Sequence, residues 1–283
     1  MFPSGGQGHG FAYVDWDYQD QNHNWSSGSQ SPGVNNGDKG LRTAFVTPGI
    51  QYNIFNDWAV QIEVPVDFRS FTTLSNSGDR VDRGNWSQFG DIRLNLLYTG
   101  FFSDHSLGVS LGVKLPNGSF TESKPNIFID RDSQLGTGST DVLLSVFYHH
   151  WITNDRAWWW FSQINADIVA AYQDGYRPGS QLDQAIGVYY NGWSIGKAKI
   201  RPIATLVASE RAHDHGPEAS GGVLDGGGPV SSGYERILLS PGIEIDIHPI
   251  MIDFGVEFPV YQYVTGDQLI AKQLYKLGVT WRF

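Results

Sequence analysis

The chain has 283 residues, is 40% hydrophobic and 14% aromatic, contains no cysteine and carries a formal charge of −10 at pH 7. That acidic balance disfavours nucleic acid, whose phosphates call for a basic surface. Lack of cysteine removes disulfide frameworks and thiolate metal sites. No run reaches the ~20 consecutive apolar residues of a transmembrane helix.

Met1 is followed by Phe2-Pro3-Ser4-Gly5-Gly6, which has neither the basic nor the apolar region of a signal peptide. The expected reading is a mature chain whose residues 1–9 form a flexible N-terminal segment. From residue 12 onward the pattern is a strict two-residue alternation, and side chains of a strand point alternately to opposite faces. Ala12, Val14, Trp16 and Tyr18 oppose Tyr13, Asp15 and Asp17; Ala44, Val46, Ile50, Tyr52 and Ile54 mark a second strand. Trp58, Val60, Ile62, Val64, Val66 and Phe68 alternate with Gln61, Glu63, Asp67 and Arg69. Further strands are carried by Ile92 to Tyr98, Leu107 to Leu115, Val142 to Tyr148, Ile164 to Tyr172, Leu182 to Tyr190, Ile200 to Ala208, Ile237 to Ile247 and Ile252 to Val260. The last, Gln273 to Phe283, sets Tyr275, Leu277, Val279, Trp281 and Phe283 against Lys276, Thr280 and Arg282. The total is twelve strands, and no 3.6-residue period competes with them.

Links alternate in length. Asn56-Asp57, Ser103 to His105, Ile152 to Arg156, Asn191 to Lys197 and His248-Pro249 are short, whereas 25–40, 70–88, 117–139, 173–181, 210–233 and 265–271 are mostly longer and rich in Gly, Ser, Asn and Asp. Short turns on one rim and long loops on the other are the habit of outer-membrane barrels. An even strand count puts both termini on the short-turn, periplasmic side. The polar face carries charges of both signs at mid-strand and could not form a dry core. The apolar face is free of charge across its central stretch, as a lipid-facing surface requires. Fold expectation: an all-β, closed antiparallel up-and-down transmembrane β-barrel of about twelve strands, one domain over 1–283, in the bacterial outer membrane.

The inward face then holds acidic Asp15, Asp17, Glu63, Asp67, Asp91, Asp141, Asp167, Asp183, Glu244, Asp246, Asp253 and Glu257 with basic Arg69, Arg93, Lys114, Lys199, Arg201, Arg236, Lys276 and Arg282. They are expected to line the lumen, as an ion-pair network narrowing the bore, as a selectivity lining, or as both. Ile127-Phe128-Ile129 is an apolar patch in the longest-loop region and is expected to fold inward as a loop gate. His213-Asp214-His215 has metal-binding residue types but no further ligand nearby, so a solvated loop is expected and no metal or cofactor. Ser209, Glu210 and His213 lack a motif that would position a nucleophile, so no catalytic residue is named and the chain is read as a non-enzyme.

Two stretches, Val113-Lys114-Leu115-Pro116-Asn117-Gly118 and Leu135-Gly136-Thr137-Gly138-Ser139-Thr140-Asp141, look like the family of meta-pathway phenol-degradation outer-membrane proteins. So does Glu257-Phe258-Pro259-Val260-Tyr261-Gln262, then Gly266-Asp267-Gln268-Leu269, with the end at Phe283. The similarity is loose and covers about residues 40–283. It implies a porin-like channel passing small solutes, including small organic or aromatic compounds. Outer-membrane lipid and lipopolysaccharide are the surroundings such a barrel would meet. A closed barrel serving as scaffold, adhesion or partner-binding protein is the alternative, and an outer-membrane lipid hydrolase the third reading.

Overall fold

A computed structural model describes residues 9–31, 38–74, 80–123, 129, 131–216 and 231–283. Residues 1–8 of the N-terminal segment, together with Ile127 and Phe128, lie outside them. His9 is described, and its carbonyl accepts a hydrogen bond from Asn53 N–H at 2.9 Å.

Every named element is a strand. In chain order they are β1 (Gly10–Ser27), β2 (Ser29–Gln30), β3 (Asp38–Asn53), β4 (Trp58–Glu63), β5 (Val66–Leu74), β6 (Val81–Phe89), β7 (Arg93–Tyr98) and β8 (Leu107–Lys114). Then follow β9 (Ser139–Trp151), β10 (Trp158–Tyr172), β11 (Gln181–Tyr190), β12 (Trp193–Ile195), β13 (Ala198–Arg211), β14 (Tyr234–Ile247) and β15 (Ile250–Arg282). Neighbours pair antiparallel, and β1 closes the ring by pairing with both β3 and β15. β15 makes two passes, residues 250–264 against β14 and 264–282 against β1, bent where Gly266 has φ +67°. β4 with β5, and β6 with β7, each make one pass interrupted by Pro65 and by Gly90-Asp91-Ile92. Proline has no N–H for the ladder, which explains the first break. With β2 and β12 as short extensions, the described strands make twelve passes.

Pairing runs further than hydrophobic alternation. The expected links 70–88 and 265–271 are largely strand, β6 among them, and β1 continues past Tyr18 through Gln19 to Ser27. From Gln19 to Asn24 both faces are polar, so hydrophobic alternation stops while the backbone still pairs.

Outward side chains are those a water-exposed domain would hide: Val14 is 44% exposed, Val146 46% and Leu111 58%. Aromatic rings gather at both rims. Trp58 meets Tyr98 at 4.7 Å and Trp158 meets Tyr190 at 4.9 Å on the short-turn rim. Tyr18 stacks on Trp16 at 5.8 Å and lies 6.4 Å from Tyr275 at the opposite rim. Two aromatic belts bound a lipid-facing band.

Candidate functional site

Strand alternation carries the polar set into the lumen, where it forms clusters. Glu63 accepts a 2.6 Å bond from the Tyr13 hydroxyl, which itself accepts one from Gln61. Lys114 pairs with Asp141, and Arg93 reaches Asp167 at 3.3 Å. Only β8 and β9 separate β7 from β10, so that second pair bridges over two strands on the lumen side of the wall. Arg201 binds Glu244 and Asp246, and Arg282 also binds Asp246. Lys276 lies between Glu257 (3.3 Å) and Asp17 (3.6 Å). Asp183 accepts from Ser209 and Gln181. Arg236 lies 4.6 Å over the Tyr234 ring. In register, Lys199 faces Asp246 and Asp253 faces Glu244. Asp67 is buried on the same parity.

Aromatic residues also enter the lumen, which the charge pattern concealed. Trp159 stacks on Tyr189 at 4.5 Å, Phe161 lies 5.4 Å from Tyr189, and His149 meets Trp159 edge-on at 5.6 Å. They occupy the strand ends near the short turns, out of phase with outward Trp158 and Trp160.

Above the charged zone the described residues between 115 and 138 (115–123, 129 and 131–138) fold inward. Asp91, in the break between β6 and β7, is its anchor. Its carboxylate accepts from Gly118 N–H (2.8 Å), Thr137 N–H (2.9 Å) and the Thr137 hydroxyl (2.5 Å). Arg69 donates to the carbonyls of Ser133 and Gln134 while its Nε holds Thr43. Gln134 closes the loop on itself through Glu122 N–H and the Glu122 carbonyl. Arg131 lies 4.0 Å from the Phe120 ring and 5.0 Å from that of Tyr176. Burial pushes the Tyr176 phenol well up, so it stays neutral as a cation–π partner. Ile129 and Leu135 pack with Phe71 and Trp86 from the wall, and Leu41 flanks them. Leu41, Phe71 and Trp86 stand where their strands should be polar. That phase violation was the available signal for a lumen cluster.

At the loop's crossing, Gly118 and Gly136 meet backbone to backbone, and a Cβ on Gly136 would overlap the Gly118 carbonyl. Gly136→Ala is therefore expected to part the crossing and loosen the segment, at a cost above ~1 kcal/mol. Limited proteolysis within 115–138 should accelerate about fivefold or more; an unchanged cleavage rate would mean the crossing absorbs a methyl group.

Other motifs have ordinary partners. Asp214 is fully buried and accepts from Gly179 N–H and Arg211, both at 2.7 Å. His213 bonds the Ser232 carbonyl at 2.6 Å. Ser209 donates to Asp183 in the lumen while Glu210, the next residue on β13, points outward. Ser209, Glu210 and His213 thus do not converge. His150 stacks 6.4 Å from Tyr148 at the aromatic rim.

No family model matches the chain, and no curated protein does. Solved structures do. An outer membrane channel from Pseudomonas putida F1 superposes with a TM-score of 0.70 over 100% of this chain and 98% of that one, at 10% identity. The beta domain of the Bordetella autotransporter Brka gives 0.54 over 98% and 100%, at 9% identity. The common property is the outer-membrane β-barrel fold. A channel and an autotransporter domain share it, so the fold alone assigns no role.

Proposed function

We propose that this barrel is an outer-membrane channel for small solutes, oriented with both termini in the periplasm and restricted by segment 115–138. One observation supports the reading: the described part of the loop packs on Phe71 and Trp86 inside the upper wall and is held through side-chain hydrogen bonds, not by strand pairing. Such a restriction can withdraw without unzipping the wall. Beneath it, the charged clusters suit passage of a polar group, and Trp159, Phe161 and Tyr189 offer ring faces to an organic or aromatic solute. The likeness to a Pseudomonas channel is consistent with this assignment. A closed scaffold would need the same loop to stay fixed.

Twelve inward carboxylates against eight inward cations leave a negative excess on the wall. A weak cation preference is expected in planar bilayers, fading at 1 M salt as screening shortens to about 3 Å. Steady single-channel conductance with that reversal potential supports the proposal. Absence of any conductance, in wild type and in a variant with the loop anchor removed, would return the barrel to the scaffold reading.

A further inference from the structure

Outside the barrel, the long-loop rim of β1, β3, β5 and β6 carries a surface that neither fold nor channel explains. Register aligns the outward rows one above another. Trp16, Val46, Val66 and Phe89 form an apolar row; Tyr18, Ala44, Phe68 and Ser87 form the next. Above them stand Asp20, Arg42, Ser70 and Asn85, and then Thr72 with Arg83. The small residues matter here. Ala44 between Tyr18 and Phe68, and Ser70 between Arg42 and Asn85, leave a notch where a uniform belt would be convex.

Two depressions meet there and share Arg42, Ser70 and Asn85, a shallow, open one against Tyr18, Ala44 and Phe68 and a more enclosed one of about 450 Å³ against Asp20, Thr72 and Arg83. The Arg42 side chain is 61% exposed and donates from Nε to Asp20 at 3.0 Å. Arg83 is exposed as well. So the notch has aromatic walls at membrane depth and guanidinium groups just above it.

We infer that this notch binds a phosphorylated glycolipid of the outer leaflet, its acyl chain against Tyr18, Ala44 and Phe68 and its phosphate on Arg42 and Arg83. Guanidinium is the side chain best matched to phosphate oxygens, and basic pockets at membrane surfaces select anionic head groups. Ser70 and Asn85 add neutral hydrogen-bonding groups for a sugar. On a chain of charge −10, an outward pair of arginines beside one carboxylate is a local reversal of sign. The assignment of leaflet rests on the orientation proposed above.

Native mass spectrometry of the full chain, released from detergent with lipid A, tests this. Wild type should retain one bisphosphorylated glycolipid, and Arg42→Gln with Arg83→Gln should weaken retention about tenfold or more. Ala44→Trp fills the notch without touching charge and should do the same. Dephosphorylated glycolipid should bind wild type as poorly as intact glycolipid binds the arginine variant. Equal retention by all three proteins would overturn the site. Displacement by millimolar inorganic phosphate, or equal retention of phosphatidylglycerol, would overturn the glycolipid as its ligand.

Discussion

Leu144→Arg should be the most damaging single substitution on the wall, reducing the stability of the inserted barrel by about 2–4 kcal/mol. Leu144 sits midway along β9, outward and 41% exposed, in a row with Leu111 and Ala166. A guanidinium there would stand in hydrocarbon with no partner and too far from either rim to snorkel freely. Ser145→Arg, one residue on, enters the lumen beside Ser110 and Asn165 and should cost less than about 1 kcal/mol. Urea titration of the two variants in liposomes separates them. Matching midpoints would invert the inside and outside of the wall.

The second large effect is expected at the loop anchor. Asp91→Ala removes the acceptor for three hydrogen bonds from Gly118 and Thr137. Bonds to a charged acceptor contribute about 1.5–3 kcal/mol each, and their donors would be left facing an apolar methyl. The loop should detach, with hydrogen exchange across 115–138 rising by at least about tenfold, since 1.4 kcal/mol is a factor of ten. Strand amides should keep their protection, because no ladder passes through the carboxylate. Conductance should increase over wild type. If exchange rises and conductance does not, the loop is detachable but is not the restriction; if neither moves, Arg69 and the apolar cluster suffice to hold it.

The wall was legible in the sequence because lipid and water impose opposite demands on successive residues, and Trp58 to Phe68 can satisfy them in only one phase. Strand ends were not legible. Gln19 to Asn24 alternate polar with polar, so nothing marks them as paired, yet β1 continues there beside β15. At Thr265-Gly266 the expected link shrinks to a tight bend, since pairing across 264–282 extends almost to the glycine. Within the lumen, alternation placed Arg93, Lys114 and Arg201 on the inner face but gave no partners. Asp91 illustrates why: its acceptors' donors are backbone amides 27 and 46 residues further on, and amides carry no residue-type signal. Trp159 and Phe161 were hidden among outward Trp158 and Trp160, where aromatic residues crowd both phases.

The seam of the ring also has a consequence in time. Phe11 faces Arg282 across the β1–β15 ladder, the longest of the sheet, and the Gly10 and Phe283 backbones bond each other in both directions at its end. Lys276 reaches over the same seam to Asp17. Every other ladder can form as its hairpin emerges, but this one joins the most distant parts of the chain. Its closure entropy is only modestly worse than that of shorter loops, growing by about 0.6 kcal/mol per doubling of length, whereas non-local pairing slows folding strongly. Assembly should therefore wait on a single late event between the first and last passes. Once made, the run from Phe11 to Gln19 pairs without a register break, unlike the bulged stretch beyond it, and the finished barrel should be long-lived far beyond what its equilibrium stability alone would suggest.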